Sequence, residues 1–194
     1  METRIGLTPN KLIVENDSTK ADWVRDALRQ HEGPLIRYAA QITGDLDSAR
    51  DVVQDAFLRL CAKEPDQLGN GVAPWLFTVC RNRALDLKRK ESRMTSLEPT
   101  ELDSHQSREP LPDAAAEQRD NTSQVMRLLA SLPPNQQEVI RLKFEGGLSY
   151  QEISSVTNLT VTNVGFLIHT AIKAIRQKLA SESKSGPNIL RSAV

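Results

Sequence analysis

Between Ser92 and Pro112 the chain loses its helical period: Pro99, Pro110 and Pro112 stand among serines, threonines and glutamates. Such a stretch cannot bury enough apolar surface to offset its ordering entropy, so it reads as a linker. On both sides apolar residues recur at spacings of three and four, the signature of amphipathic helices. The 194 residues are therefore expected to form two small helical domains instead of one core. The expected organisation is a flexible tail over 1–17, a first domain over 18–91, a linker over 92–117, a second domain over 118–182 and a tail over 183–194. With 4% aromatic and 26% charged residues, a β-sandwich or barrel is disfavoured and the fold class is all-α. No apolar run reaches the roughly 18 residues that a spanning helix needs.

The first ten residues, Met1 to Asn10, lack the basic flank and apolar stretch of a secretory signal, so a cytoplasmic protein is expected. Cys61 and Cys80 form no CxxC pair, and His31, His105 and His169 are scattered far from both. These cysteines read as reduced core thiols; neither a metal site nor a cofactor is expected.

The 25 basic and 25 acidic residues cancel, but they segregate along the chain. Asp45, Asp47, Asp51, Asp55, Glu64 and Asp66 make Gly44 to Asp66 acidic, and Arg81, Arg83, Lys88, Arg89, Lys90 and Arg93 then reverse the sign. The linker is acidic again, and the chain after Val139 is mildly basic. Two basic stretches separated by an acidic one suggest two nucleic-acid contacts joined by a strand that nucleic acid repels.

In the first domain, Ser18 or Thr19 is placed to cap a helix carrying Trp23, Val24, Ala27 and Leu28, with an interruption at Gly33-Pro34. Pro34 suits the first position of a new helix that Gly44 ends. Asp47 is the expected cap of the next helix, whose apolar positions are Val52, Val53, Ala56, Phe57, Leu60 and Cys61 and whose other face is Asp51, Gln54, Asp55 and Arg59. After Pro65 and Gly69-Asn-Gly71, Pro74 opens a third helix packing Leu76, Val79, Cys80 and Leu87 and ending in the basic run.

The second domain has the sharper pattern. A helix with Val125, Leu128 and Leu129 stops at Leu132-Pro133-Pro134, and another spans Asn135 to Glu145 before Gly146-Gly147. Ser149-Tyr-Gln-Glu152 is a capping box. The short helix it starts buries Ile153 and Val156, Asn158 supplies a left-handed turn residue, and Thr160 caps a longer helix from Val161 to Leu179. A short helix, a tight turn and a longer helix make a helix-turn-helix, whose second helix usually enters the major groove.

Several stretches, in order, resemble the two-domain sigma factors of bacterial RNA polymerase, the extracytoplasmic-function group. His31-Glu-Gly-Pro-Leu-Ile-Arg-Tyr-Ala39, Thr43-Gly-Asp45, Ala49-Arg-Asp-Val-Val-Gln-Asp-Ala-Phe57 and Trp75-Leu-Phe-Thr-Val-Cys-Arg-Asn82 resemble that group's first domain. Leu132-Pro133, Gly147-Leu-Ser-Tyr-Gln-Glu-Ile153 and the helix after Thr160 resemble its second; the likeness covers about residues 20 to 180. The resemblance implies a non-catalytic subunit that binds core polymerase and double-stranded, locally opened promoter DNA, with no direct membrane insertion, and it admits an anti-sigma factor as a further partner. It assigns Asp51, Gln54 and Asp55 to polymerase docking. Trp75, Arg81, Asn82, Arg83, Lys88 and Arg89 go to the promoter element near the start site, Asn82 to base edges and the cations to phosphates. Asp86 is expected to tether a neighbouring arginine. A loop within Glu64 to Val72 would receive an unstacked base.

Thr160, Thr162, Asn163, Phe166, His169 and Lys173 are left for the upstream element, with Thr170 on the same outer face and Val164, Ile168, Ala171, Ile175 and Leu179 in the core. This helix departs from the group's pattern, because Asn163 to Ile172 holds no Lys or Arg. That face either reads DNA, through Asn163, His169 and contact of Phe166 with a thymine methyl, or binds a protein partner; DNA readout is the favoured reading. The alternative for the whole chain is a one-component helix-turn-helix regulator with a helical sensing or dimerising domain, which would have no need of an Asp-x-x-Gln-Asp docking face. No phosphate loop, nucleophile elbow or His-centred constellation suggests an enzyme.

Overall fold

In the computed structural model, which describes residues 9–68, 71–95 and 125–184, helix α1 runs unbroken from Pro9 to Thr43 with Pro34 inside it. This corrects two expectations: the helix starts ahead of Ser18, and Gly33-Pro34 does not divide it. A proline in a helix interior costs about 3 kcal/mol. Immediately after it Leu35, Tyr38 and Ala39 are almost wholly buried, and Ala27 anchors the turns before it. Burial of one large apolar side chain stabilises by roughly 1.5–3 kcal/mol, so two or three such anchors outweigh the local penalty.

Gly44, at φ +81°, ends α1 by returning its amide to the Ala40 carbonyl. Helix α2 then spans Leu46–Cys61. Its cap is Asp45 and not Asp47: Asp45 has extended backbone, and its carboxylate accepts from the Ser48 amide at 2.7 Å. That bond holds the Asp45 carboxyl below the usual carboxylate range. Asp47 lies in the first turn, paired with Arg50 at 2.9 Å. Helix α3 spans Val72–Thr95, so it starts two residues before Pro74 and continues past residue 91.

These three helices pack pairwise against one another. Val52, Val53, Ala56, Phe57 and Leu60 of α2 meet Leu76, Phe77, Cys80 and Ala84 of α3 in the core, and the Tyr38 ring meets Phe77 edge-on at 5.3 Å. Val79 and Leu87 are only half-buried. The two cysteines part company. Cys80 is a core thiol, its pKa pushed up to about 12 by burial, whereas Cys61 is exposed at the end of α2.

The second unit is built from a helical segment over 125–130, here α4, followed by α5 (Pro134–Phe144), α6 (Tyr150–Thr157) and α7 (Val161–Lys184). Gly147, at φ +69°, turns the chain so that the Leu148 amide reaches back to the Leu142 carbonyl at 3.1 Å. Leu128, Leu129, Leu132, Val139, Leu142, Leu148, Ile153, Val156, Val164, Ile168 and Ala171 form the core; Ile175 and Leu179, expected there, are half-buried. Arg141 is buried as well, bonded to Glu145 one turn on at 2.8 Å. Of the expected linker and tails, residues 1–8, 96–124 and 185–194 lie outside the described residues.

Candidate functional site

Three surfaces carry the residues singled out from the sequence. On α2, Asp51 and Gln54 are exposed and Asp55 is half-buried. They border a groove with Leu58 of the same helix and with Arg83 and Leu87 of α3. Asp55 faces Arg59 at 3.4 Å and Arg83 at 3.5 Å. Arg83 was expected among the DNA contacts, but the structure sets it against α2. Leu58 was missed altogether. Its side chain is 63% exposed beside two carboxylates, and the sequence signal was a leucine four residues after Gln54 on an otherwise polar face.

On α3, helical spacing sorts the remaining candidates. Trp75, Asn82 and Arg89 recur at seven and therefore lie in one row, opposite the buried Leu76, Cys80 and Ala84. Arg81 and Lys88 make a second row on one flank, and Arg83 lies on the other. Asn82, Lys88 and Arg89 are exposed, while Trp75 and Arg81 are half-buried. Asp86 pairs with Arg89 at 3.2 Å, as expected. Arg93, not among the candidates, continues the Asn82 row and is exposed. The loop before α3 begins with a 3-10 turn, Pro65–Gln67. Glu64 is held there by Lys20 of α1 at 2.6 Å and donates its amide to Gln67 at 3.3 Å.

The third surface is the helix-turn-helix of α6 and α7. Ser149 and Glu152 form the reciprocal box, with bonds of 3.3 and 2.7 Å. Asn158 is left-handed at φ 59°, and the Thr160 hydroxyl accepts from the Asn163 amide at 3.2 Å. Thr160, Thr162, Asn163, Phe166, His169 and Lys173 are all exposed. Thr162, Phe166, His169 and Lys173 recur at four, three and four, so they form one stripe opposite the buried Val164, Ile168 and Ala171. Thr170 is removed from that face: its hydroxyl accepts from Gln136 of α5 at 3.3 Å and donates to the Phe166 carbonyl. Phe166 is 64% exposed, far more than an aromatic side chain held for packing.

Comparison with known proteins places two family profiles on these units. The profile described as Sigma-70 region 2 matches residues 27–94, and that described as Sigma-70, region 4 matches residues 122–175. Together they cover more than half of the chain. The ECF RNA polymerase sigma factor SigL of Mycobacterium tuberculosis is 29% identical over 165 residues, 84% of this chain and 92% of SigL. The ECF RNA polymerase sigma factor RpoE of Cereibacter sphaeroides is 28% identical over 156 residues, 79% of this chain and 84% of that one. Among solved structures, the sigma factor RpoE of Bartonella quintana, crystallised with the anti-sigma factor NepR, has the same fold. Its TM-score is 0.64 at 22% identity, over 82% of this chain and 97% of that chain.

Proposed function

The chain belongs to the sigma-70 family, in its extracytoplasmic-function group of RNA polymerase sigma factors, and from this we propose how its three surfaces divide the work of promoter recognition. The observation that carries the reading is the order of regions: the region 2 match falls on α1 to α3 and the region 4 match on the helix-turn-helix. A one-component regulator does not account for both. Sigma factors are not enzymes, and the three surfaces do their work by binding, in the cytoplasm beside polymerase.

The α2 groove docks on core polymerase. Asp51, Gln54 and Asp55 supply polar recognition and Leu58 an exposed apolar contact between them, a combination suited to a partner helix with cations flanking an apolar residue. The Asn82 row of α3 meets the start-proximal element, where an amide can bond a base edge and Arg81, Lys88 and Arg89 meet phosphates. Trp75 begins that row, and the Glu64 loop lies before it. Arg83 acts at the groove, through Asp55. The stripe on α7 with Asn163 reads the upstream element, and Thr160 serves it as the helix cap. This assignment keeps 18–91 and 118–182 as the working domains and 92–117 as the tether between them. A protein partner for the α7 stripe, such as an anti-sigma factor, is the competing use.

Docking is tested by Asp51→Lys with Asp55→Asn, the second chosen because a cation at 55 would crowd Arg59 and Arg83. Because Asp51 is exposed and Asp55→Asn keeps the shape of a half-buried side chain, the fold should stay intact, with a change in stability of about 1 kcal/mol or less. Affinity for purified core polymerase should fall roughly tenfold or more, equivalent to about 1.4 kcal/mol. Wild-type affinity in the double variant would remove the docking assignment.

A further inference from the structure

A lysine of α1 lies on the face with which that helix packs. Lys20, Val24, Ala27, His31, Leu35 and Tyr38 recur at spacings of three and four, so they share one face, and all of them are half-buried or buried. The Lys20 side chain keeps only 25% of its exposure. The arginines that follow it behave differently: Arg25 and Arg29 stay more than half exposed and pair with Asp22 and Asp26 one turn back on the same helix. A lysine on a packing face lays its stem along apolar surface and needs a partner for its charge.

That partner is distant in sequence. Nζ of Lys20 donates to Oε1 of Glu64 at 2.6 Å, a short charge-assisted bond. Glu64 opens the turn between α2 and α3. Its carbonyl accepts from the Gln67 amide at 3.0 Å, its amide donates to the Gln67 side chain at 3.3 Å, and the Leu68 amide reaches the Pro65 carbonyl at 3.4 Å. These bonds are internal to the turn, so they set its shape but not its place on the molecule. The bond from Lys20 fastens it to α1. From this turn the chain enters α3 at Val72, with Trp75 in the first helical turn.

We infer that Lys20 is a positioning residue for the opened start-proximal element: by holding Glu64 it fixes the Pro65–Gln67 turn beside the Trp75 end of the α3 row. The inference rests on the reading of α3 as the helix that meets that element. Lys20 makes no DNA contact of its own, because its ammonium is engaged by Glu64 and its stem is packed. Its effect is preorganisation. A separated strand that settles against a turn already fastened to α1 does not have to order that turn, and the binding free energy otherwise lost to ordering is kept.

The test uses holoenzyme assembled with the full chain and two DNA probes. One is a fork, duplex through the upstream element and a single non-template strand across the start-proximal element; the other is a duplex that stops short of the start-proximal element. Lys20→Met keeps the stem and removes the charge. It should lower affinity for the fork by roughly fivefold or more while affinity for core polymerase and for the truncated duplex stays at wild type. Glu64→Ala should give the same pattern, and the combined variant should be no weaker than the weaker single one, because both substitutions remove one bond. Lys20→Arg, which can still bond Glu64, should keep fork affinity. The salt dependence of fork binding should not change in Lys20→Met, since no phosphate contact is lost.

Additive losses in the combined variant, or wild-type fork affinity in Glu64→Ala, would mean that the lysine does not act through Glu64 and would overturn the inference. Recovery of fork affinity in the combined variant would overturn it as well, since the loss in Lys20→Met would then be repulsion of DNA by an uncovered carboxylate. If Lys20→Met fails to fold, Glu64→Ala decides alone: a loss confined to the fork upholds the inference, and no loss removes it. If Asn82→Ala weakens fork binding and Lys20→Met does not, the inference falls and the reading of α3 stands. If neither does, the reading of α3 falls with it.

Discussion

Arg141 is the residue whose environment sits least easily with its chemistry. It is 6% exposed, its Nε has no hydrogen-bond partner, and its charge is met by Glu145 at 2.8 Å. Desolvating a guanidinium costs several kcal/mol, and a buried pair offsets that cost only with good geometry and full satisfaction of its donors. The two partners are unequal, because the Glu145 side chain keeps 18% of its exposure against 7% for Arg141. Glu145→Ala therefore leaves a buried cation unpaired and should destabilise the fold by about 3–5 kcal/mol. Arg141→Met keeps a long unbranched side chain and leaves a carboxylate that can turn to water, so its cost should be smaller. Combining Arg141→Met with Glu145→Gln should recover most of the loss. Denaturant unfolding followed by far-UV circular dichroism measures all three, and a larger cost for Arg141→Met than for Glu145→Ala would show that packing of the arginine stem, not charge, dominates the site.

At the scale of the element, what could be read from the sequence was what short-range chemistry decides. The Ser149 box, the left-handed Asn158 and the Thr160 cap each involve partners within a few residues, so spacing alone located them. The α1 helix escaped because its integrity is set from outside: Leu35, Tyr38 and Ala39 are held by other helices, and tertiary burial overrides the Pro34 penalty. The same reason hid the contact of Arg83 with Asp55, since the two lie on different helices. Asp45 and Asp47 compete for one cap two residues apart, and only backbone dihedrals decide between them. Gly33 offers a direct test of the α1 account. A β-carbon there would meet only the far end of the Arg37 side chain, at 3.4 Å, which can move aside. Gly33→Ala should therefore stabilise the protein by about 0.4–1 kcal/mol through helix propensity and the unfolded chain. A loss of stability in a thermal melt would mean that α1 needs the glycine to accommodate Pro34.

Across the whole molecule, charge is distributed so that the two proposed DNA surfaces contribute different things. The rows of α3 hold Arg81, Lys88, Arg89 and Arg93 within thirteen positions, although Asp86 already neutralises part of Arg89. The exposed stripe of α7 holds Lys173 at its far end, with Thr162, Asn163, Phe166 and His169 before it. Each phosphate neutralised on duplex DNA releases condensed counterions and adds about 0.9 to the slope of log affinity against log salt. Base-edge contacts leave that slope alone and discriminate by about 1–3 kcal/mol each. The cations of α3 should thus set affinity and its salt dependence, and the α7 stripe, with its single lysine, should set choice among upstream sequences. In holoenzyme titrated on a set of promoters, Lys88→Ala should lower the slope by about one and weaken all of them alike. Phe166→Ala should leave the slope unchanged and relax preference at the upstream element. Titrating salt against both variants distinguishes this from a α7 that works mainly by phosphate contact, for then Lys173→Ala would change the slope as much as Lys88→Ala and Phe166→Ala would change nothing but stability.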